Sequence, residues 1–233
     1  MILYAAQGTS NLGDFFNSFP VLSGISKVYG NFTLILQNDM VRFNGIKDLI
    51  SYQSFIDKVY FENEFYQTSE IIIPFNSWVE EKCTKEGRPI ETCRYEIRFK
   101  EYNMQFEVDD DFILQIPEIN VEISSKYVLG DRCSRTTHDT RRKCDLIPNS
   151  KYHEVGEYLD YGNNLIHNLN VIKQSSNPFV TTITGISVLV DLMNVPQILL
   201  YDDEMENWQD RGTIDNTYIR HYYSDRKSVL EKI

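Results

Sequence analysis

The chain is predicted to be an α/β protein made of two small units in succession, each a parallel sheet with helices as crossovers, the two facing each other across a cleft. Three observations point there. Apolar runs of strand length alternate with stretches whose hydrophobic residues recur at helical spacing. Strands separated by helices need crossover connections and therefore pair in parallel. The strand, glycine turn, helix pattern that opens the chain is met again in its second half.

The composition allows such a fold. The 233 residues suffice for one large domain or two small ones, and 42% hydrophobic with 13% aromatic residues supply the cores. Disordered, collagenous and fibrous classes are excluded. With 34 acidic against 23 basic residues the net charge is -11, which disfavours general binding to nucleic acid or anionic membrane.

Residues 1–6 are predicted as the first strand, closed by Gly8 and Gly13, after which Phe15, Phe16, Phe19, Leu22 and Ile25 recur at helical spacing. Residues 32–37 form a buried strand. A helical pattern through Ile46, Leu49, Ile50, Phe55 and Ile56 leads to β-rich runs at 59–61 and 71–75. Residues 77–100 fit two helices, with a cap at Asn76 or Ser77 and a break at Gly87-Arg88-Pro89. Residues 106–125, acidic and interrupted by Pro117, are the passage out of the first unit.

A new strand is expected at 126–130, followed by Gly130-Asp131-Arg132. Residues 152–161 and 165–169 have a helical pattern, 171–172 fit a short strand, and 178–182 are a β-branched run. Thr184 and Gly185 precede a helix at 187–193, Pro196 stops it, and 197–201 is the next strand. Residues 216–233, with Tyr218, Tyr222 and Tyr223, are expected to be a terminal helix packing back on the first unit. The expected division is 1–120, 121–215 and 216–233.

The opening residues carry no basic leader, and no apolar run approaches the roughly 20 residues of a spanning helix. Four cysteines, Cys83, Cys93, Cys133 and Cys144, fit thiols kept reduced. A soluble, cytoplasmic protein is expected.

Two turns are the places for chemistry, because each leads from a strand into a helix whose first N–H groups need an acceptor. One is Gly8-Thr9-Ser10-Asn11-Leu12-Gly13-Asp14, the other Thr181-Thr182-Ile183-Thr184-Gly185-Ile186-Ser187. In open parallel sheets such turns lie at the carboxyl ends of the strands, where ligands bind. The glycines of the first turn are five apart and make no dinucleotide fingerprint. Asp14 has two readings: a general base taking a proton from a hydroxyl in the cleft, or simply a helix cap beside a turn made by the glycines.

Between residues 126 and 143, Lys126, Arg132, Arg135, Arg141, Arg142 and Lys143 outnumber Asp131 and Asp139. A phosphate clamp explains this excess, with Arg132 and Arg135 nearest the strand end; a solvated basic loop is the alternative. Arg141 and Arg142 are candidates for a phosphorylated or nucleic-acid acceptor. Cys133, His138, Cys144 and His153 match no standard zinc spacing, and Asp202-Asp203-Glu204 is better read as a solvated loop than as a metal site. No bound metal is expected. His138, His153, His167 and His221 have no nucleophile context, so a hydrolase is disfavoured.

The stretch Asn11-Leu12-Gly13-Asp14-Phe15-Phe16-Asn17-Ser18-Phe19-Pro20-Val21-Leu22 resembles the N-terminal motif of heptosyltransferase-like glycosyltransferases, glycosyltransferase family 9, in which Gly-Asp follows the first strand and Pro-x-Leu comes six residues later. Thr184-Gly185, with Pro196 and its strand, is similar to the family's C-terminal Asp-Thr-Gly-x-x-His motif. Ile183 stands at that motif's Asp and Val188 at its His.

The resemblance implies a GT-B fold: two Rossmann-like domains facing across a cleft, the second holding most of a nucleotide-sugar donor. It implies transfer to a hydroxyl of a glycan or other acceptor, with inversion, without metal or cofactor, and with Asp14 as catalytic base. Arg132, Arg135, Thr182, Thr184, Gly185 and Ile186 are then the donor-phosphate residues, and Gly8, Thr9, Ser10, Asn11 and Gly13 the acceptor loop. Ile183 and Val188 also fit a non-catalytic nucleotide- or glycan-binding protein of this fold. A small partner-binding protein is the third reading.

Overall fold

Short runs such as ILYA and FTLIL, apolar at nearly every position, suit strands covered on both faces. In the computed structural model they are the centre of a four-stranded parallel sheet. The structure describes residues 1–6, 8–66, 69–79, 88–123, 127–129, 152–154, 164–181, 184–201 and 218–222. Strands β1 (Ile2–Ala5), β2 (Phe32–Leu36), β3 (Ile56–Phe61) and β4 (Ile72–Phe75) are arranged β3-β2-β1-β4. The second sheet contains β5 (Tyr127–Leu129), β6 (Tyr152–Glu154), β7 (Phe179–Thr181), β8 (Gln197–Tyr201) and β9 (Tyr218–Tyr222). Its order is β6-β5-β7-β8-β9, again all parallel.

The helices are α1 (Leu12–Phe16), α2 (Phe19–Tyr29), α3 (Ile46–Ser51), α4 (Ile90–Glu101), α5 (Leu165–Gln174) and α6 (Gly185–Leu192). The single helical pattern expected from Phe15 to Ile25 is divided at Asn17 and Ser18. Pro20 lies in the first turn of α2, where its missing N–H costs nothing; carried on from α1 it would lack a donor. The Ser18 hydroxyl turns back to the Phe15 carbonyl at 2.7 Å. Phe15, Phe16 and Phe19 remain fully buried and pack ring on ring with centroids 4.5 to 5.4 Å apart.

Several expectations are corrected. Phe55 and Ile56 are not helical: α3 ends at Ser51, and Ile56 opens β3 opposite Phe32. Their spacing matched a helix only because a short turn separates them from it. Residues 77–79 are not helical, while the second predicted helix of that region is α4, with buried Cys93 on it. Tyr152–Glu154 is a strand paired with β5 instead of the start of a helix. Val171 and Ile172 lie inside α5, buried, instead of forming a strand. Tyr218–Tyr222 is also a strand: it pairs with β8 and belongs to the second sheet, not to a helix returning to the first unit.

The passage between the sheets is extended, as its composition implies, and it is tied along its length. The Asp109 N–H donates to Pro20 of α2, and the Leu114 N–H donates to Leu192 of α6 at 2.8 Å. The Gln53 side chain donates to the Gln115 carbonyl and accepts from its N–H. On α5, Asn170 Nδ2 donates to the Pro117 carbonyl, and Asn170 Oδ1 accepts from the Ile119 N–H. Arg88, nearly buried, forms ion pairs at 2.6 Å with Glu96 of α4 and Asp110 of the passage. Among the described residues, no helix is long and apolar enough to cross a membrane.

Two consequences can be measured. A Cβ on Gly24 would lie 1.9 Å from the Glu107 carbonyl oxygen, so backbone would have to move. Gly24→Ala should therefore destabilise the protein by about 1–3 kcal/mol in urea unfolding; an unchanged midpoint would show that the passage does not press on α2. Burial acts to raise the Asp109 carboxyl, but Lys27 at 2.8 Å and the Ser23 hydroxyl outweigh it and hold the group below its ordinary value. A depressed carboxyl stabilises above its unfolded value and loses that contribution as pH falls through the folded one. Asp109→Asn should flatten the acid limb of stability against pH.

Candidate functional site

In both sheets the first strand is flanked by later strands on both sides. The order reverses between β1 and β4 in the first sheet, and between β5 and β7 in the second. The chain leaves β1 into the turn at residues 8–11 and leaves β7 towards Thr184, so both predicted turns stand at carboxyl ends beside a reversal point.

Helix starts α1 and α6 meet directly. A Cβ built on Gly13 would sit 3.1 Å from the Gly185 Cα and 3.2 Å from Val188 Cγ2. The two turns were expected to face each other across a gap. At Gly13 and Gly185 they instead stand so near that a Cβ on Gly13 would need its neighbours to give by a few tenths of an ångström.

The first turn is held from several sides. Gly8 has φ of 102°, a left-handed conformation that favours glycine. Thr9 is fully buried and its hydroxyl donates to the Ala6 carbonyl at 2.7 Å, so this side chain serves the turn. Arg42, which follows β2, donates to the Ser10 carbonyl at 2.7 Å. Asn11 is the residue preceding α1, and its amide donates to Asp14 Oδ2 at 3.1 Å. Asp14 is thus the third residue of the helix and not its cap. Its carboxylate is half-buried.

Behind Asp14 stands α4. The Tyr95 hydroxyl donates to the Asp14 carbonyl at 3.0 Å and is itself hydrogen-bonded by Ser77. Burial, and then the charge of Asp14, push the Tyr95 phenol well above its ordinary value, so it remains a donor. Thr92, one turn earlier, donates to the Asn17 carbonyl at 2.7 Å. Sequence periodicity marks Tyr95 only as an apolar position of a helix; its hydrogen bonds come from tertiary contact. Arg42 was likewise missed, having no local motif, and Ser77 was read only as a candidate helix cap.

The second turn is a capping box. Thr184 Oγ1 accepts from the Ser187 N–H, and Ser187 Oγ accepts from the Thr184 N–H at 3.0 Å. This occupies the Thr184 side chain and leaves the N–H groups of Gly185 and Ile186 outside the box. The Ile186 side chain is buried, so this residue can offer a ligand only its backbone. Thr182, Ile183, Arg132 and Arg135 lie outside the described residues, as do Lys126, Arg141, Arg142, Lys143, Cys83, Cys133, His138, Cys144 and the 202–204 acidic loop.

No protein-family model matches the chain, and no curated protein matches it in sequence. Solved structures do match in fold. The glycosyltransferase family 9 protein from Veillonella parvula DSM 2008 is 11% identical at a TM-score of 0.60, over 99% of this chain and 88% of that one. The heptosyltransferase WaaC of E. coli, solved with ADP, is 11% identical at 0.58, over 100% and 98%. The iron-containing dodecameric glycosyltransferase TibC from enterotoxigenic E. coli H10407 is 11% identical at 0.58; this chain, 97% of it aligned, spans 65% of that protein's length. The fold is that of GT-B glycosyltransferases, heptosyltransferases among them.

The glycine contact can be probed by volume. Gly13→Ala forces α1 and α6 apart by a few tenths of an ångström, and Gly13→Val by more. The valine variant should lose about 1–3 kcal/mol and the alanine variant less, read by thermal unfolding. Equal stability of all three proteins would mean that the helices do not abut.

Proposed function

We propose that the chain is a glycosyltransferase that moves a sugar from a nucleotide-activated donor to a hydroxyl acceptor, with inversion. The observation that carries this is the close approach of Gly13, which precedes Asp14 in α1, to Gly185 at the start of α6. The likeness in fold to WaaC, solved with ADP, and to TibC, also solved in complex with ADP-D-beta-D-heptose, supports the same class of chemistry.

In this reading residues 1–120 hold the acceptor and 121–215 the donor, with the glycine contact at the floor of the cleft between them. The donor diphosphate lies on the N–H groups of Gly185 and Ile186, where the helix dipole favours negative charge. Thr182 is beside it. Arg132 and Arg135 follow β5, whose carboxyl end neighbours that of β7, and they stabilise the charge growing on the leaving group. The acceptor lies on the Gly8 to Asp14 turn. Its hydroxyl oxygen attacks the anomeric carbon from the face opposite the diphosphate, its proton passes to Asp14, and the nucleoside diphosphate departs with the electrons of the broken glycosidic bond. Closure of the site excludes water and aligns the reactants. The reaction needs no bound metal and takes place in the cytoplasm.

One observation favours the second reading, a protein that binds nucleotide or glycan without turnover. Val188, which stands at the family's His, packs a methyl group against Gly13 and brings no polar atom to the site. Thermal shift with a panel of nucleoside diphosphates tests binding for both readings, and release of nucleoside diphosphate from sugar donors separates them. Asp14→Asn should slow release by about 10²–10⁴-fold while the thermal shift persists. Unchanged turnover would remove Asp14 from the chemistry, and a shift without release from the parent protein would favour the non-catalytic reading.

A further inference from the structure

The reversal point of the first sheet carries a side chain that the reading above leaves unused. Trp78 follows β4, the strand beside β1, and is 70% exposed. A solitary exposed indole needs no explanation, but this one is mounted. The backbone N–H of Trp78 donates to Asn76 Oδ1 at 3.1 Å, and its backbone carbonyl accepts from the Arg98 guanidinium of α4, which also pairs with Glu101. Its ring lies against Gly8, where an added Cβ would come 2.7 Å from the indole Nε1. Its neighbour Ser77 is buried and hydrogen-bonded to Tyr95, the residue that donates to the Asp14 carbonyl. The indole and the carboxylate-bearing helix are thus fixed to one buried phenol.

We infer that Trp78 is a stacking platform for the acceptor, and that the acceptor presents a pyranose ring there. The chemistry is complementary. A pyranose has an apolar face of axial C–H groups and a rim of hydroxyls. The open face of an indole takes the first, and polar residues of the adjoining turn, Ser10 and Asn11, take the second. A rigid aromatic with its backbone already held loses little entropy on binding. Gly8 is then needed twice, for its positive φ and for the room it leaves the indole.

This rests on the glycosyltransferase reading, and the test separates the two. The chain has two tryptophans, Trp78 and Trp208, so Trp208→Phe leaves Trp78 as the sole indole emitter. Titration with methyl α-D-glucopyranoside, methyl α-D-mannopyranoside and methyl β-D-galactopyranoside should shift its emission saturably for at least one of them. Saturation-transfer NMR with the same glycosides should show Trp78→Ala binding about tenfold more weakly than the parent. Emission that responds to none of them, or equal binding by Trp78→Ala and parent, overturns the inference. Nucleoside diphosphate release by the parent protein is scored separately. Turnover with a Trp78 indifferent to saccharide sinks only the platform, whereas a saturable response without turnover sinks the transferase reading and leaves a glycan site.

Discussion

The constraint on which the rest depends is the absence of a side chain at Gly13, where α1 meets α6. A Cβ there would lie 3.1 Å from the Gly185 Cα and 3.2 Å from Val188 Cγ2. No hydrogen bond or ion pair would bring the helices so close. In a densely packed interior a Cβ there would press on α6 by a few tenths of an ångström, and the two helices carry Asp14 and the α6 capping box. The contact therefore holds the residue before Asp14 against the first residue of α6.

The second layer of support is α4, which holds α1 from behind through Thr92 and Tyr95. A buried tyrosine is tolerated because its hydroxyl is satisfied by Asp14 and Ser77. Helix α4 is itself held by Arg88, whose two carboxylate partners compensate the burial of a guanidinium. Removing one of those partners would leave a charge poorly paired in a dry place, so the ordering of the site extends well beyond the residues lining it.

Much of the architecture was legible in the residues. Strands such as Phe32–Leu36 are covered on both faces and so are continuous apolar runs, and the glycine turns after β1 and before α6 are local signals. The misreadings have separate physical origins. Strands β6 and β9 are the outermost in their sheet, and their sequences, YHE and YIRHY, mix aromatic and charged residues as edge strands do. Val171 and Ile172 are β-branched, yet burial in α5 overrides their preference. At the site, the sequence marks Gly13 and Gly185 separately but not their meeting, which belongs to tertiary packing. The hydrogen bonds of Tyr95 and the mounting of Trp78 are of the same kind.

The extended passage has a mechanical consequence. Its backbone or side-chain hydrogen bonds reach α2, Gln53, α6 and α5 in turn, so it is a stitched seam and not a slack tether. Slippage of one sheet against the other would have to break several of those stitches at once. Motion of either sheet against the passage would therefore have to break hydrogen bonds to α2, Gln53, α6 or α5.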